Sequence, residues 1–535
     1  MNDLVQSNDR KPKSGFFKSV RNYFREYCTC TSIHGFRYFG EKRTIFERVW
    51  WFIIFIICLS ACTISIYAVY KKWERSPVIV SFATKGTPIY SIPFPSVTVC
   101  PESKSAQTIF NYTSLLQKKE DFITLTTEEE KQFEYMSLIC NYRDNYLTYS
   151  TNGTFPEEFF DVIQYVKPQF NIRDCHYMGK KENCSKIFTP IITDEGICYT
   201  FNMLDRNEIF RKDVIHYKHY HQIPRSAHQW NMEDGYTDDS GVDAYPRRAL
   251  LAGATNGFTF NIITSKQDLD YACKTSLQGY RVVLHTPMRL PRPSQQYFRI
   301  PLDQNVLGAV QPVMITTSES IKLYNPRRRQ CYFITERYLK YFKIYTALNC
   351  LMECLTNYTL HVCGCVNFFM PRENGTKLCG TSHIDCMRDA ESAMQMKHLR
   401  KQLNKPLIKH RKHKKKPKVD CDCLPICADL SYDVETSQTD WEWEKQKKAD
   451  RRKHRNCSVA ESHLSSLTIF FKFNAFIRSQ RHELYGPTDF LANFGGLLGL
   501  FTGFSVLSLM EILYFLSVRM ICNVRLYGYW AGRET

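Results

Sequence analysis

Two long apolar runs, separated by a long polar segment, constrain the fold of this chain more than any other feature. Val49–Tyr70 contains no charged residue, and a second run extends from about Phe490 to Phe515. Each run is long enough to cross the roughly 30 Å hydrocarbon layer of a bilayer as a helix. The pattern predicts five segments: residues 1–48, a first transmembrane helix at 49–70, an intervening domain at 71–488, a second transmembrane helix at 489–516 and a tail at 517–535.

Basic residues near the two runs predict the side of the membrane that each end occupies. Ten Lys or Arg residues lie in the first 48 positions, and Arg519, Arg525 and Arg533 follow the second run. Lys and Arg next to a span favour the cytoplasm. We therefore expect both termini inside the cell, residues 71–488 outside, and a place in the plasma membrane. The first run is not a removable signal peptide, because it begins too far from the N-terminus and lacks a cleavage site of small residues.

Cysteines are concentrated in the intervening segment, which holds 17 of the 22. Zinc could be held by the closely spaced thiols of Cys363, Cys365, Cys421 and Cys423, but the oxidising space outside a cell favours disulfides. We expect a disulfide framework and no metal. The sequence also contains six acceptor sites for N-linked glycosylation, at Asn111, Asn152, Asn183, Asn357, Asn374 and Asn456.

Hydrophobic periodicity predicts a mixed α+β fold for this segment. Strands are expected at Tyr280–His285, Val306–Thr317 and Leu467–Phe476, and a helix at Glu336–Leu355 would carry Cys350 and Cys354 on one face. His285 lies in an apolar strand and is interpreted as a packed, hydrogen-bonded residue rather than a catalyst.

The net charge of +18 does not indicate nucleic-acid binding, because much of it is clustered. Lys397–Lys418 holds eleven Lys or Arg residues, and a second cluster occupies Arg451–Arg455. Both clusters fall on the predicted outside, where a solvated basic loop is the expected structure and an acidic-ligand site or a protease target is the alternative. The sequence has no nucleophile elbow, phosphate loop or zinc-protease motif, so no enzyme activity and no cofactor are predicted.

The second apolar run contains small and polar residues that a lipid anchor does not need. Gly499 and Gly503 have the spacing that lets helices approach closely, and Ser505, Ser508 and Glu511 follow. A carboxylate within a span is costly in hydrocarbon and is expected to face protein or a water-filled path. The run therefore favours a pore, with a self-associating anchor helix bearing one snorkelling acid as the alternative.

Six segments along nearly the whole chain stand in a specific order and spacing. They are His34-Gly35, Phe94 to Cys100, Gly196 to Asn202, Gly279 to Pro287, the cysteines from Cys331 to Cys427, and Gly495 to Glu511. Together they resemble the motifs of the degenerin/epithelial sodium channel family, and most of all its insect pickpocket branch. The resemblance implies a trimer of two-span subunits that conducts Na⁺ through a pore lined by the second helix.

By the same resemblance, particular residues acquire roles. Gly503-Phe504-Ser505 matches the selectivity filter, with Glu511 below it in the pore. His34-Gly35 matches a cytoplasmic gating motif that returns beneath the pore, and Ala492 matches the degenerin position at the gate. Three copies of the filter would offer backbone and hydroxyl oxygens that replace part of the hydration shell of a small cation.

The resemblance also implies a disulfide pairing, which spacing alone does not determine. Cys140, Cys273 and Cys457 remain over, so at least one of them is expected to be free or to pair between chains. The implied pairs are Cys100 with Cys198, Cys175 with Cys184, Cys331 with Cys427, Cys350 with Cys423, Cys354 with Cys421, Cys363 with Cys386, and Cys365 with Cys379.

The implied function is a subunit of a sodium-selective, amiloride-sensitive, stimulus- or ligand-gated channel. It would assemble as a homotrimer or as a heterotrimer with related subunits, in contact with membrane lipid and without nucleic acid, and the sequence does not identify its extracellular ligand. The basic insertion at Lys397–Lys418 stands where acid-sensing relatives have acidic residues, which argues against proton gating there. The alternatives are a purinergic-type trimeric channel and a non-conducting receptor or adhesion ectodomain on two anchors.

Overall fold

The structure is a computed structural model, and it describes residues 16–75, 78–140, 153–220, 229–274, 277–403, 421–449, 461–484 and 486–532. The basic cluster at Arg451–Arg455, most of Lys397–Lys418, two of the glycosylation candidates (Asn152 and Asn456) and Cys457 lie outside these residues.

Helices and strands are numbered in chain order. The helices are α1 (Phe16–Cys30), α2 (Arg37–Gly40), α3 (Ile45–Arg75), α4 (Tyr112–Glu120), α5 (Thr127–Cys140), α6 (Glu158–Val166), α7 (Cys184–Ile187), α8 (Arg206–Ile209), α9 (Glu319–Lys322), α10 (Pro326–Arg329), α11 (Ala347–Cys363), α12 (Ile384–Leu403), α13 (Trp443–Ala449), α14 (Pro487–Thr502), α15 (Val506–Leu516) and α16 (Val518–Tyr527). The strands are β1 (Val78–Phe82), β2 (Thr87–Pro88), β3 (Ser96–Pro101), β4 (Thr154–Phe155), β5 (Asn171–Tyr177), β6 (Lys180–Lys181), β7 (Phe188–Thr193), β8 (Gly196–Phe201), β9 (Val214–Ile215), β10 (Trp230–Asn231), β11 (Gly235–Tyr236), β12 (Phe258–Ser265), β13 (Tyr280–His285), β14 (Phe298–Ile300), β15 (Gln304–Thr317), β16 (Arg372–Glu373), β17 (Leu378–Cys379), β18 (Asp429–Asp440), β19 (Ser462–Phe471), β20 (Ala475–Phe476) and β21 (Ser479–Glu483).

The chain divides into two compact units. The terminal unit combines both ends of the chain, Met1–Ile79 and His482–Thr535, and the central unit is Val80–Arg481. The boundaries lie within β1 and just before the end of β21, so the predicted intervening domain of residues 71–488 and the central unit differ by a few residues at each end.

Two helical stretches of the terminal unit are long and apolar enough to cross a membrane, Ile45–Glu74 and Val506–Tyr527. The first contains the predicted 49–70 helix and extends beyond it at both ends, because polar residues at the ends of a span continue the helix into the interface. Its 31 residues, as α3, give a length of about 45 Å. The second apolar run is divided: α14 ends at Thr502 and α15 begins at Val506.

The central unit contains two main sheets, which confirms its mixed α+β class. One sheet has the strand order β1-β21-β15-β19-β12-β5-β6, with β18 also paired to β15, and the other has the order β14-β13-β3-β8-β7. The predicted strand Tyr280–His285 is β13. The predicted strand Val306–Thr317 is the main part of β15, whose first half alternates between buried and more exposed residues as a strand packed on one face does.

Aromatic side chains join the two sheets. Phe201 of β8 stacks on Phe258 of β12, with ring centroids 3.9 Å apart and planes inclined by 12°. Phe94 packs edge-on against Tyr177 and Phe471 at 5.5 Å. All five side chains are buried. Such pairs stabilise a core beyond the area they bury, so this cluster holds the sheets in one body.

Eight disulfides cross-link the central unit, and seven of them are the pairs that the family resemblance implied. These are Cys100–Cys198, Cys175–Cys184, Cys331–Cys427, Cys350–Cys423, Cys354–Cys421, Cys363–Cys386 and Cys365–Cys379. The eighth joins Cys140 to Cys273, two of the three cysteines that had no assigned partner.

The helix predicted at Glu336–Leu355 is wrong at both ends, since α11 begins at Ala347 and ends at Cys363. Its start is set by Thr346, whose hydroxyl caps the helix by accepting from the Asn349 N–H at 3.0 Å. The residues before it form turns, because the Glu353 carboxylate binds two of their backbone N–H groups, at 3.0 and 2.9 Å. Cys350 and Cys354 do lie on this helix, one turn apart.

The strand predicted at Leu467–Phe476 is displaced toward the N-terminus, as β19 at Ser462–Phe471. β19 ends at Phe471, and the two-residue β20 follows after a turn. β19 instead extends toward the N-terminus to Ser462, because it pairs along its length with β12 from Phe258–Ile469 to Ser265–Ser462. Pairing with a partner strand sets its start, which the apolar residues alone did not mark.

Candidate functional site: a broken helix and the N-terminal segment

The break between α14 and α15 is caused by two residues of the predicted filter. Gly503 adopts the left-handed conformation, with φ +68°, and its N–H donates to the Gly499 carbonyl at 2.9 Å, which ends α14. Ser505 then starts α15 as its N-cap, because its hydroxyl accepts from the Ser508 N–H at 3.3 Å. Glycine and serine are the residue types that these two positions favour.

The break also changes the interpretation of the Gly499–Gly503 spacing. Gly503 is the cap of α14 and not a residue on its face, so the pair does not form a helix-packing surface. Gly495 and Gly499, also four residues apart, both lie within α14, and an added Cβ at either position meets no atom within 4 Å. The close approach that involves Gly503 is instead with the N-terminal segment.

His34 lies directly against the break. Its backbone N–H donates to the Thr502 carbonyl at 3.0 Å. A Cβ atom added to Gly503 would lie 2.7 Å from Cγ and Nδ1 of the His34 ring. Any side chain at position 503 would therefore displace the ring as well as strain the backbone. The structure brings together two motifs that are separated by more than 460 residues.

Glu511 binds the same N-terminal segment. One of its carboxylate oxygens accepts from the Ser32 backbone N–H at 3.2 Å, the Ser32 hydroxyl at 3.3 Å and the Thr31 hydroxyl at 3.3 Å. The Ser32 hydroxyl also lies 2.8 Å from the hydroxyl of the fully buried Ser508. These donors satisfy a carboxylate that would otherwise be costly at membrane depth.

Helix α1 is attached to the end of the second apolar run. The Tyr23 hydroxyl donates to the Phe515 carbonyl at 2.5 Å, and Glu26 forms an ion pair with Arg519. Sequence reasoning did not identify Tyr23, Thr31 or Ser32 as functional, and it noted Ser508 only as one of the polar residues that favour a pore. Only Ser508 had a local signal, since a serine three residues after an N-cap serine is a capping pattern.

Gly35 completes the turn between α1 and α2, with φ +88°. An added Cβ there would have one neighbour within range, a Phe55 ring carbon at 4.0 Å. The position therefore requires glycine for its backbone conformation and not for lack of space.

Ala492 lies on α14, about three turns before the break, and its side chain is exposed. Near it, α14 approaches α3 through the rings of Phe490 and Trp73, whose centroids are 5.3 Å apart. The structure thus separates Ala492 from the group formed by His34, Gly503 and Glu511.

The break between α14 and α15 places backbone carbonyls and the Ser505 hydroxyl close together in the chain. The last carbonyls of a helix have no partner within that helix and carry the negative end of its dipole. At the end of α14 the Thr502 carbonyl accepts from the His34 N–H and the Gly499 carbonyl accepts from the Gly503 N–H. Hard cations prefer oxygen ligands. Within the described residues, no cluster of three or more His, Cys, Asp or Glu side chains is placed to hold a metal ion.

His285, in the central unit, has a structural rather than a catalytic role. His285 is buried, its Nε2 lies 2.8 Å from the Thr98 hydroxyl and its Nδ1 2.9 Å from the Thr286 carbonyl. Burial lowers the pKa of His285 to about 4, so the ring is neutral. The interpretation of His285 as a packed residue is confirmed.

Four of the glycosylation candidates lie in described residues. Asn183 and Asn374 are exposed, whereas Asn111 and Asn357 are partly buried. Asn111 caps α4 by accepting from the Ser114 N–H at 2.8 Å, and Asn357 lies within α11. Their modification remains a prediction.

Comparison with known proteins identifies the family. The sequence profile of the family described as amiloride-sensitive sodium channel matches residues 27–515, which begin in α1 and end in α15. The chain belongs to this family. The match includes the N-terminal segment, the disulfide-linked central unit and the broken helix, and it confirms the degenerin/epithelial sodium channel resemblance.

Three curated relatives are similar to almost the full length of the chain. Pickpocket protein 28 of Drosophila melanogaster is 27% identical over 93% of this chain and 79% of its own length. Sodium channel protein Nach of the same species is 22% identical over 96% and 90%, respectively. The human bile acid-sensitive ion channel is 20% identical over 93% and 86%.

Membership of this family indicates the general function of the chain. Members of this family are plasma-membrane cation channels built from related subunits, and they are not enzymes. The chain is therefore a cation channel subunit, with two apolar helices consistent with two spans.

Proposed function

We propose that this chain is a subunit of a sodium-selective, amiloride-sensitive channel gated by a stimulus or an extracellular ligand. Three copies, from this chain alone or together with related subunits, surround the pore. Gly503, Phe504 and Ser505 form the filter, and Glu511 lies on its cytoplasmic side. The observation that carries the proposal is the break in the second apolar run, which leaves carbonyl and hydroxyl oxygens at membrane depth.

In this proposal both termini are cytoplasmic and the central unit is extracellular. The contacts of His34 with Gly503, and of Ser32 with Glu511, support a role for the N-terminal segment in controlling the filter. In this proposal the contacts break and re-form as the channel opens and closes, which requires the two states to differ by only a few kcal/mol.

The direct test is whole-cell recording of the full chain, expressed alone and with related subunits. We expect a sodium current blocked by amiloride. Ser505→Val should change the permeability ratios among Na⁺, Li⁺ and K⁺, measured as reversal potentials. The matched control is Ser517→Val, since Ser517 ends α15 and its hydroxyl donates to the Leu513 carbonyl. Unchanged ratios in Ser505→Val would remove Ser505 from the filter.

A second test addresses the gate. Ala492→Val or Ala492→Phe should open the channel without a stimulus, because a bulky side chain clashes in the narrower closed state. A differential strain of about 1.4 kcal/mol changes the closed-to-open ratio about tenfold. Ala68→Val, at an exposed alanine of α3, is the matched control. Surface-delivered Ala492 variants that stay silent with every partner subunit, yet open to a stimulus, would place the gate elsewhere.

The same recordings distinguish this proposal from the two alternative functions, a purinergic-type channel and a non-conducting receptor. A purinergic-type channel would pass current that is insensitive to both Ser505→Val and amiloride. A non-conducting receptor would reach the surface and pass no current with any related subunit, whatever residue occupies position 492.

A further inference from the structure

A small cavity inside the central unit has two lysines in its lining. Its volume is about 10 Å³, near the smallest volume that holds one water molecule. Lys104 lies shortly after β3, and Lys167 directly follows α6. Much of the remaining lining is aliphatic, including Ile139, Ile163 and Ile197, and no described residue that lines the cavity is acidic. Two cationic side chains therefore border one water-sized space.

The Lys104 ammonium group is buried, and its described oxygen partners use two of its three N–H groups. Its Nζ donates to the Pro101 carbonyl at 2.6 Å and lies 3.3 Å from a carboxylate oxygen of Glu195. An ammonium group has three donors, so one N–H remains for the cavity. Desolvation lowers the pKa of Lys104 to about 8 despite the nearby carboxylate. Glu195 therefore compensates only part of the cost of burying this charge.

The charges around Lys104 are unequal in number. Among the described residues, four cations share two carboxylates. The cations are Lys104, Lys274, Arg281 and Arg299, and the carboxylates are Glu102 and Glu195. This network therefore has a formal excess of two positive charges. Buried charge is costly where no counter-charge accompanies it.

Lys167 adds a further positive charge at the same cavity. It is partly buried, and its Nζ donates to the Tyr199 hydroxyl at 3.0 Å and lies 5.3 Å from the centre of that ring. Burial lowers the pKa of Lys167, and no charged group of the described chain opposes this shift. Lys167 is also the C-cap of α6, where the helix dipole contributes a partial negative charge. Neither the ring nor the helix end supplies a full counter-charge.

The size of the cavity and the charge of its lining distinguish between possible occupants. A water molecule fits, but it would leave the positive excess uncompensated. Sulfate, phosphate and organic carboxylates are much larger than a water molecule. A single halide ion is only slightly larger than water and carries the missing charge. Its attraction to the two lysines is strengthened where the protein excludes bulk water, because the local dielectric constant is low.

We propose that this cavity binds one small halide ion, such as chloride, between the ammonium groups of Lys104 and Lys167. The ion connects the segment after β3 to the end of α6 and reduces the positive excess of the buried network. It is therefore part of the folded central unit and stabilises that unit. The proposal does not depend on ion conduction, because all the residues of the cavity belong to the central unit.

The test compares thermal midpoints of the full-length, solubilised protein in sodium chloride and in sodium gluconate at equal sodium concentration. Gluconate is too large for the cavity. Chloride at about ten times its dissociation constant raises the folded-to-unfolded ratio about elevenfold. For a unit of this size we expect the midpoint to increase by about 2 °C. Sodium bromide should have the same effect as sodium chloride.

Variants of Lys167 make the test specific, because this residue lies outside the buried network around Glu195. Lys167→Met keeps an unbranched side chain of similar length and removes the charge, so the midpoint should no longer depend on chloride. The matched control is Lys180→Met. Lys180 is an exposed cation of β6, so its loss should leave the chloride effect unchanged.

Anomalous diffraction gives a second measurement that requires no variant. Crystals of the full-length wild-type protein grown in sodium bromide should show a bromide peak between the ammonium groups of Lys104 and Lys167. Three results would overturn the proposal. They are equal midpoints of the wild type in chloride and gluconate, a chloride effect that Lys167→Met retains, and a cavity without a bromide peak, which would identify water as the occupant.

Discussion

All eight disulfides of the described residues lie in the central unit, whereas the five cysteines recorded in the terminal unit are free. The central unit also has an aromatic core shared by two sheets. The terminal unit depends on helix contacts and on a few directional hydrogen bonds at the break between α14 and α15. Regions with few cross-links and few buried contacts open more easily than densely cross-linked ones. The comparison indicates a stiff central unit and a more adjustable terminal unit.

The central unit also contains a network of buried charges. In the central unit the Glu195 carboxylate lies 3.3 Å from Lys104 and 2.8 Å from Lys274, and Arg281 bridges Glu195 and Glu102 at 3.0 and 2.9 Å. Burial opposes ionisation of Glu195, but the neighbouring cations dominate and hold its pKa below the usual range. Burial lowers the pKa of Lys104 to about 8, although Glu195 opposes that shift. Each charge in this network depends on the others.

The largest effect is expected from breaking that network. Glu195→Ala would leave buried cations without their shared carboxylate, and loss of one partner from a buried pair costs about 3 to 5 kcal/mol. We expect a large fall in surface delivery and in the thermal midpoint of the solubilised protein. Glu158→Ala is the control, because Glu158 forms an exposed ion pair with Lys131 and such pairs contribute about 1 kcal/mol or less. Equal effects of the two variants would contradict the idea of a stiff central body.

The second prediction concerns acid sensitivity of the central unit. The pKa of His285 is lowered from 6.5 to about 4 by burial, so the unfolded chain takes up this proton first as the pH falls. The free energy of unfolding should be unaffected above pH 6.5 and should decrease by about 1.4 kcal/mol per pH unit below it, to a total of about 3 kcal/mol near pH 4.

Thermal midpoints of the solubilised protein across this pH range would check the His285 prediction. His285→Gln should reduce the dependence of the thermal midpoint on pH. His361→Gln, at an exposed histidine of α11, should leave it unchanged. An identical slope in the wild type and in His285→Gln would show that other groups cause the acid effect.

The third prediction tests whether the terminal unit is specialised for function rather than stability. Gly503→Ala forces a Cβ into the left-handed region and against the His34 ring. The matched control is Gly528→Ala, since Gly528 caps α16 with φ +67° and an added Cβ meets no atom within 4 Å. Both variants bear a backbone cost of about 1 to 2 kcal/mol.

Only Gly503→Ala should therefore alter the current, with surface protein similar in both variants. Whole-cell recording with surface biotinylation would measure the two quantities. If Gly528→Ala changes the current as strongly, the contact between His34 and Gly503 has no special role.

The smallest effect is expected at the carboxylate that binds the N-terminal segment. Glu511→Gln keeps the shape and one acceptor but removes the charge, which weakens the bonds from Thr31 and Ser32 by about 1 kcal/mol. Combined with Ser32→Ala, it should show a non-additive change in open probability, because the two residues are in contact. Ser517→Ala should be additive with Glu511→Gln, and additivity in both pairs would exclude coupling through this contact.

Local patterns predicted much of the fold. The apolar run of α3 contains no charge, so burial in hydrocarbon could be inferred without a partner. Strand β13 was predicted within its observed bounds, since β-branched residues and flanking turns define it locally. The start of α11 was missed because Glu353, on the helix itself, holds the preceding residues in turns. The start of β19 was missed because its partner β12 sets it.

The family resemblance predicted which residues form the filter, and that remains a prediction; it did not predict the contacts that these residues make. The residues near Glu511 in the sequence do not indicate that its carboxylate accepts hydrogen bonds from Thr31 and Ser32. Likewise, the need for glycine at position 503 depends on the His34 ring. A contact between two residues that are far apart in the sequence produces no periodic pattern. Such contacts therefore cannot be predicted from the spacing of residues.

The sequence by itself determined two apolar helices, a cysteine-rich α+β segment between them, and a second apolar run too polar and too rich in glycine for a simple anchor. These properties depend on amino-acid composition and on hydrophobic periodicity over a few residues. Both reflect whether a residue faces water, lipid or the protein interior. The tertiary structure alone decided that Cys140 pairs with Cys273 and that the N-terminal segment returns to the break at Gly503. The two cysteines are 133 residues apart, and His34 is still farther from Thr502 in the sequence, so only the folded chain brings these atoms within bonding distance.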